Sequence, residues 1–245
     1  MITTLKTILI AFLLVNSSTE SFKQTQLKFA RVKDAFEEKE GAVKELFRTK
    51  GFEPKGQKIF LRAFKKEAEL EVWIKHNDSY QLLVVYPFCT TSGTLGPKRR
   101  EGDLQIPEGV YHINHFNPYS TFHLSLGINY PNASDRILSD KRSPGGAIYI
   151  HGNCVSIGCI PITDDKIKEL YLMAVEARNA GQEKIPVHIF PARLDDGVID
   201  ELAREFQTDA QTAEFWANLK EIYVDFESTR RLRNVRVNAK GRYYF

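Results

Sequence analysis

Residues 146–164 read Gly-Ala-Ile-Tyr-Ile-His-Gly-Asn-Cys-Val-Ser-Ile-Gly-Cys-Ile-Pro-Ile-Thr-Asp. The apolar run at 147–150 is typical of a buried strand, and His151 follows it at the start of a glycine-punctuated loop. The loop ends at Cys159, which follows Gly158. A cysteine nucleophile needs a base for its proton and nearby backbone amides for the oxyanion. The stretch therefore predicts a loop that presents a reactive thiol beside an imidazole.

The spacing of His151 and Cys159, eight residues apart, allows the loop to fold back and bring the imidazole to the sulfur. A neighbouring imidazole makes a thiolate available near neutral pH, so the expected chemistry is acyl transfer through a thioester. Spacing alone leaves three alternatives open. Cys159 could be a buried core cysteine, it could form a disulfide with Cys154, or His151, Cys154 and Cys159 could bind zinc, although a fourth ligand is missing.

The composition is that of an ordinary globular protein. The chain has 245 residues, of which 42% are hydrophobic and 27% charged, so it can bury a sizeable core in one main domain with an appendage. The formal net charge of +3 is too small to indicate nucleic acid or a membrane surface as a partner.

The N-terminus has the layout of a secretory signal peptide, which we place at residues 1–20. A positively charged start is followed by an apolar run at 7–15 and by small and polar residues at 16–19. The apolar run is too short to cross a bilayer, so we expect export without a transmembrane segment.

Three cysteines remain for an exported protein, namely Cys89, Cys154 and Cys159. An odd, sparse count argues against a disulfide framework and leaves at least one thiol free. Cys89 follows an apolar strand pattern, which predicts a core position.

Hydrophobic periodicity divides the rest of the chain into helices and strands. A helical stripe occupies 26–49 and ends at Gly51, and a second helix begins at Thr163, whose side chain can cap it. Glycine and proline predict a long exposed loop at 96–108. Alternating or apolar runs predict strands at 59–64, 70–74, 80–86, 109–113, 117–126 and 184–190, and the remainder predicts one or two helices and a terminal hairpin at 235–245.

The segment His151-Gly152, followed by Ser156-Ile157-Gly158-Cys159, resembles the active-site motif of L,D-transpeptidases with a YkuD-type catalytic domain. That motif is a His-Gly, a variable loop and then Ser-His-Gly-Cys. The segments Gly96-Pro97-Lys98, Gly102-Asp103 and 107–111 are similar to the same family. The resemblance implies an α+β fold, a β-rich, sandwich-like catalytic domain at 57–192 with a helical flank at 21–56 and a helical extension at 193–245.

Within that family the chain resembles the YafK-like branch of murein L,D-transpeptidase homologues. The shared segments are 117–120, 122–126, 130–136 and the short loop between His151 and Cys159. This implies activity in the periplasm on peptidoglycan stem peptides at meso-diaminopimelate, with a wall-anchored lipoprotein as a further partner and no cofactor. An amine acceptor would make the enzyme a transpeptidase, and water would make it a hydrolase. A noncatalytic wall-binding module is the alternative from a different class.

Carried over by position, the resemblance implies Cys159 as nucleophile and His151 as general base and acid. The amides of Gly158 and Cys159 would form part of the oxyanion hole, and Ser156 and Gly152 would support the loop. Two departures are visible, because Ile157 replaces the motif's second histidine and Pro161 replaces an arginine.

Three further side chains are candidates for substrate binding. We expect His123 on a strand beside the site, in either a substrate-side or a structural role. Lys98 and Arg136 flank the expected cleft, where they could bind the carboxylates of a stem peptide. For Lys98 a merely solvated charged face is the alternative. No metal ligands are assigned.

Overall fold

Three consecutive antiparallel strands begin the sheet in the computed structural model, which describes residues 20–245. They are β1 (Ile59–Phe64), β2 (Glu69–His76) and β3 (Ser79–Pro87). Their positions confirm the alternating pattern read from the sequence. The predicted signal peptide lies outside the described residues apart from its last position.

Five more strands complete one mixed, eight-stranded sheet. They are β4 (Gly109–Asn117), β5 (Ser125–Ile128), β6 (Tyr149–His151), β7 (Ile160–Pro161) and β8 (Ile185–Phe190). The spatial order is β3-β2-β1-β8-β4-β5-β6-β7. The β1/β8 and β6/β7 pairs are parallel and the other pairs antiparallel. The predicted α+β class is confirmed.

Helices cover one face of the sheet. They are α1 (Phe22–Leu27), α2 (Ala30–Thr49) and, later in the chain, α4 (Thr163–Asn179), and α3 (Ala133–Leu138) lies in the connection before β6. Val32 and Phe36 of α2 pack with Leu170 of α4 in the main core. α4 begins at Thr163 as predicted, and the Thr163 hydroxyl accepts the Lys166 amide at 3.4 Å, but the N-cap residue is Ile162, which makes no side-chain capping bond. Within residues 20–245 no helix combines the length and apolarity that a bilayer crossing needs.

The opposite face carries the C-terminal elements. They are α5 (Val198–Glu205), α6 (Ala210–Thr229) and the hairpin of β9 (Arg236–Val237) and β10 (Tyr243–Tyr244). Trp216 of α6 is fully buried and donates its indole N–H to Glu108 at 2.7 Å. The predicted helices and terminal hairpin are therefore present, and they pack onto the sheet.

Strand β1 is buried on both faces because both helical layers contact it. Its Phe60, Arg62 and Phe64 face the α6 side, where Arg62 is only 1% exposed. Arg62 donates to Glu71 at 2.8 Å and to Glu227 at 2.5 Å. A buried charge of this kind is tolerated only when it is paired and hydrogen-bonded.

The loop at 96–108, predicted to be exposed, is in part buried. The Lys65 ammonium donates to the carbonyl oxygens of Gly96 and Ile106 and to the Glu108 carboxylate. Both side chains are buried, because Lys65 is 6% exposed and Glu108 is 0% exposed. These bonds fix both ends of the loop against the sheet, a long-range contact that local composition does not reveal.

The predicted strand at 117–126 is wrong over most of its length. β5 begins only at Ser125, and residues 118–124 form a loop in which His123 has a left-handed backbone (φ +69°). Asn117 starts the loop by accepting the Tyr119 amide on its side chain at 3.0 Å. Turn chemistry of this kind overrides the strand propensity of the aromatic residues.

Candidate active site

The parallel pairing of β6 and β7 brings His151 and Cys159 to one place. Ile150 is opposite Ile160, and His151 is opposite Pro161. Cys159 immediately precedes β7, so it lies beside Tyr149, and side-chain alternation puts Tyr149, His151 and Cys159 on the same face. All three line a cavity of about 390 Å³, whose other lining residues are Asn117, Ser120, Thr121, Phe122, Ser125, Ala147, Val155, Ser156 and Ile157.

The Cys159 thiol is partly exposed and held by backbone groups. The Tyr149 amide donates to Sγ at 3.4 Å, and the thiol donates to the Ala147 carbonyl at 3.7 Å. Ala147 has a left-handed backbone (φ +54°), which is uncommon for a residue with a side chain. Unusual backbone conformations are often found at functional sites.

The imidazole of His151 is oriented by two neighbours. Its Nδ1 is hydrogen-bonded to the Gly152 carbonyl, which places the proton on Nδ1 and leaves the Nε2 lone pair as an acceptor. The ring of Phe122 stacks on it, with 4.7 Å between centroids and 30° between planes. A Cβ on Gly152 would lie 2.9 Å from the Phe122 carbonyl oxygen, so glycine permits this close approach.

Burial shifts both titratable groups toward their neutral forms. It lowers the pKa of His151 below 6.5, although the Gly152 hydrogen bond opposes part of this shift. It raises the pKa of the Cys159 thiol above 9.0, against smaller opposing effects of the Tyr149 amide and the Lys98 charge. Near neutral pH the pair is a thiol and a neutral imidazole, so the imidazole can accept a proton as the sulfur attacks.

Ser156 organises the loop before the cysteine. Its hydroxyl donates to the Cys159 carbonyl at 2.8 Å and accepts the Gly158 amide at 3.1 Å. The Ser92 hydroxyl lies 2.9 Å from the Ser156 hydroxyl. The Gly158 amide is therefore already engaged, whereas the Cys159 amide has no protein acceptor among residues 20–245. Of the two predicted oxyanion donors, Cys159 is the one left open in this conformation.

A disulfide joins Cys89 to Cys154, with 5.4 Å between their Cα atoms. The expectation that Cys89 is a core residue is therefore wrong, as is a Cys154–Cys159 bond, whereas the expectation of at least one free thiol is confirmed by Cys159. The partners are 65 residues apart in sequence, and the Cys89 amide bonds to the Pro161 carbonyl at 3.0 Å, a proximity that sequence does not reveal. The disulfide also removes Cys154 from the suggested zinc ligands and leaves Cys159 free.

The predicted substrate-binding side chains lie outside the cavity lining. Lys98 is 4% exposed, and its ammonium is neutralised by Asp103 at 2.6 Å, which corrects its expected place on an open cleft. Arg136 is exposed on α3 and lines a separate shallow groove. His123 lies in the 118–124 loop and not on a strand, and burial lowers its pKa. The lining residues carry no Lys, Arg, Asp or Glu.

Sequence reasoning missed two side chains beside His151. Tyr149 could have been found, because it precedes His151 by two positions on a strand and must share its face. Phe122 comes from a distant loop, and nothing in its local sequence indicates the stack on the imidazole.

Comparison with known proteins identifies related sequences. Residues 65–189 match the family described as YkuD, the L,D-transpeptidase catalytic domain. The chain is 37% identical over 190 residues to "Putative L,D-transpeptidase YafK" of Escherichia coli K12, an alignment that covers 77% of this chain and 74% of the relative. The same protein of Escherichia coli O157:H7 has the same values.

Solved structures include more distant neighbours. The helical cell shape determining protein Pgp2 of Campylobacter jejuni is 19% identical with a TM-score of 0.46, covering 69% of this chain and 57% of Pgp2. Bd1075 of Bdellovibrio bacteriovorus is 22% identical with a TM-score of 0.41, covering 69% of this chain and 60% of Bd1075. The chain thus spans little more than half the length of these proteins.

Proposed function

The chain belongs to the YkuD family of L,D-transpeptidase catalytic domains, and on that basis we propose that it performs cysteine-dependent acyl transfer on peptidoglycan peptides at meso-diaminopimelate. The observation that carries the proposal is that His151 and Cys159 line the same cavity. The hydrogen bond of His151 to Gly152 supports it, because this bond directs the basic nitrogen away from the backbone.

Acylation begins with attack of Cys159 Sγ on the carbonyl carbon of the bond to be broken. His151 Nε2 takes the thiol proton as the C–S bond forms. The Cys159 amide is the donor positioned to hold the resulting oxyanion. Collapse of the intermediate breaks the C–N bond, and the leaving amine takes the proton from His151. The product of this half-reaction is a thioester on Cys159.

Deacylation repeats the sequence with an acceptor. His151 Nε2 removes a proton from an amine or from water, which attacks the thioester carbonyl, and the departing sulfur recovers the proton. An amine gives a new cross-link, and water gives a cleaved product. The cavity mouth carries Val155 and Ile157, which are 47% and 78% exposed, so an apolar part of the substrate or acceptor fits there.

The proposed setting follows from the substrate. Peptidoglycan is extracytoplasmic, so we place the protein in the periplasm, in agreement with the signal-peptide layout of residues 1–20. Disulfides such as the one between Cys89 and Cys154 form and persist in oxidising compartments of this kind. A wall-linked lipoprotein is a candidate substrate, in which the broken bond joins the protein to the stem peptide.

The test is incubation of the purified protein with muropeptides that contain meso-diaminopimelate, with and without an amine acceptor, followed by mass analysis of the products. The wild type should consume the donor, and Cys159→Ala should not. Cross-linked products would identify a transpeptidase, and cleaved products a hydrolase. If muropeptides and lipoprotein-linked peptidoglycan bind but stay intact, the protein is a wall-binding module and the proposal is wrong.

A further inference from the structure

Arg31 of helix α2 contacts the wall of the cavity. Arg31 donates from Nη1 to the carbonyl oxygen of Ser120 at 2.7 Å and to that of His123. The two carbonyls flank Thr121 and Phe122, so one guanidinium closes the loop around both. Arg31 has no acidic partner among residues 20–245, and its charge is directed to these two acceptors. Hydrogen bonds from a charged donor are stronger than neutral ones.

The loop that Arg31 holds forms much of the cavity wall. Ser120, Thr121 and Phe122 all line the cavity. The Phe122 ring stacks on His151 at 4.7 Å, and its carbonyl lies against Gly152 so closely that a Cβ there would be 2.9 Å away. A shift of this loop would therefore move the surface against which the imidazole rests.

The rest of the loop depends on the same helical flank. Phe29 makes an edge contact with Tyr119, with 5.1 Å between ring centroids. His123 is held in a left-handed conformation at φ +69°. Such a backbone is disfavoured for residues other than glycine and persists only where surrounding contacts impose it. The hydrogen bond from Arg31 to the His123 carbonyl is one such contact.

From this geometry we propose that Arg31 is a positioning residue for His151, acting through the 120–123 loop and the Phe122 ring. It lies outside the family match at 65–189, so the helical flank supplies part of the site's support. The inference rests on the proposed role of His151 as base. Since misplacement of a catalytic group by about 1 Å can reduce turnover by about a hundredfold, loss of Arg31 should reduce kcat by about ten- to a hundredfold.

The experiment compares Arg31→Gln, Arg31→Lys and Phe122→Leu with the wild type, and Arg48→Gln serves as control because Arg48 lies on the same helix and bonds only to Glu45. Two quantities are measured. One is kcat and KM with a muropeptide that contains meso-diaminopimelate. The other is the apparent pKa of His151, obtained by NMR from its imidazole proton shifts, assigned with His151→Gln.

We expect Arg31→Gln and Phe122→Leu to lower kcat and to move the His151 pKa up toward 6.5, because the ring becomes more exposed. Arg31→Lys should restore part of both, and Arg48→Gln should match the wild type. If Arg31→Gln does not fold, Arg31→Lys and Phe122→Leu provide the comparison. An unchanged His151 titration and unchanged kcat would overturn the inference. If no substrate is turned over, the proposed function fails, but the titration still decides the positioning role.

Discussion

The two ends of the sheet differ in the charge state of their titratable groups: one end holds charged ion pairs, and the other holds a neutral histidine and thiol. At the β1–β2 end, Arg62 and Glu71 are 1% and 2% exposed and form an ion pair with each other. Arg62 also pairs with Glu227, and Glu71 also pairs with Arg193, so each buried charge has two opposite partners. At the β6–β7 end, His151 and Cys159 line a cavity whose lining carries no Lys, Arg, Asp or Glu. The comparison indicates that paired buried charges stabilise the sheet, whereas a neutral histidine–cysteine pair that lines a cavity remains available for proton transfer.

Loss of the nucleophile should produce the largest effect. Cys159→Ala should lower kcat/KM by at least about 10³-fold, because no thioester can form. The free energy of unfolding should change little, since the thiol is partly exposed and makes only weak hydrogen bonds. Product formation and urea unfolding measure the two quantities. A variant that retains a tenth of the activity would contradict the role of Cys159.

Removal of the disulfide tests what makes the active-site end rigid. The double variant Cys89→Ser/Cys154→Ser opens a link across 65 residues, which should reduce the free energy of unfolding by about 4 kcal/mol. Turnover should also fall, because the loop that carries Cys159 then keeps only its hydrogen bonds. Denaturant unfolding and kcat are the measurements. Full retention of both would mean that Ser92, Ser156 and the backbone alone hold the loop.

Disruption of the ion cluster around Arg62 should lower stability without lowering activity, which is the reverse of the effect expected for Cys159→Ala. Arg62→Met should lower the free energy of unfolding by about 3 kcal/mol, because it leaves Glu71 buried with one charged partner fewer. The kcat of the folded protein should not change, since the cluster is remote from the cavity lining. Arg48→Met is the matched control, as its pair with Glu45 is exposed. A fall in kcat without loss of stability would contradict the claim that the cluster stabilises the fold and takes no part in catalysis.

The pH profile of activity distinguishes a neutral His151–Cys159 pair from an ionised one. The productive pair is neutral imidazole and thiol, so activity should be lost on the acid side only as His151 becomes protonated, below pH 6.5. It should persist on the alkaline side until Cys159 ionises, above pH 9.0. A preformed thiolate–imidazolium pair predicts instead that activity is already lost below pH 9, as the imidazolium gives up its proton. The dependence of kcat/KM on pH distinguishes them.

Much of the frame could be predicted because its signals are local. The alternation at 59–64 and the helical stripe at 26–49 agree with β1 and with α2 to within a few residues. The His-Gly and Gly-Cys pairs at the two ends of one loop located the candidate site, because adjacent strands fix where their ends lie. The disulfide, the burial of Lys98 and the loop at 118–124 could not be predicted.

Each of those failures involves a contact between distant segments, although local turn chemistry at Asn117 also contributes to the loop. Cys89 meets Cys154 across 65 positions. Lys98 pairs with nearby Asp103, but it also packs against a distant segment, because the Tyr130 hydroxyl, 32 residues away, donates to the Lys98 carbonyl at 3.3 Å. The loop at 118–124 is held by Arg31, 89 residues before Ser120. Local propensity carries no information about such partners.

The central claim is that the sulfur of Cys159 carries the acyl group. The direct measurement is mass spectrometry of enzyme stopped in acid during turnover, with fragmentation of the tryptic peptide 143–166, which carries Cys159 and stays disulfide-linked through Cys154 to the peptide that contains Cys89. We predict a mass increase equal to the donor acyl group, located on Cys159 and removed by hydroxylamine. Turnover with the acyl group on another residue, or with Cys159 never modified, would contradict the account.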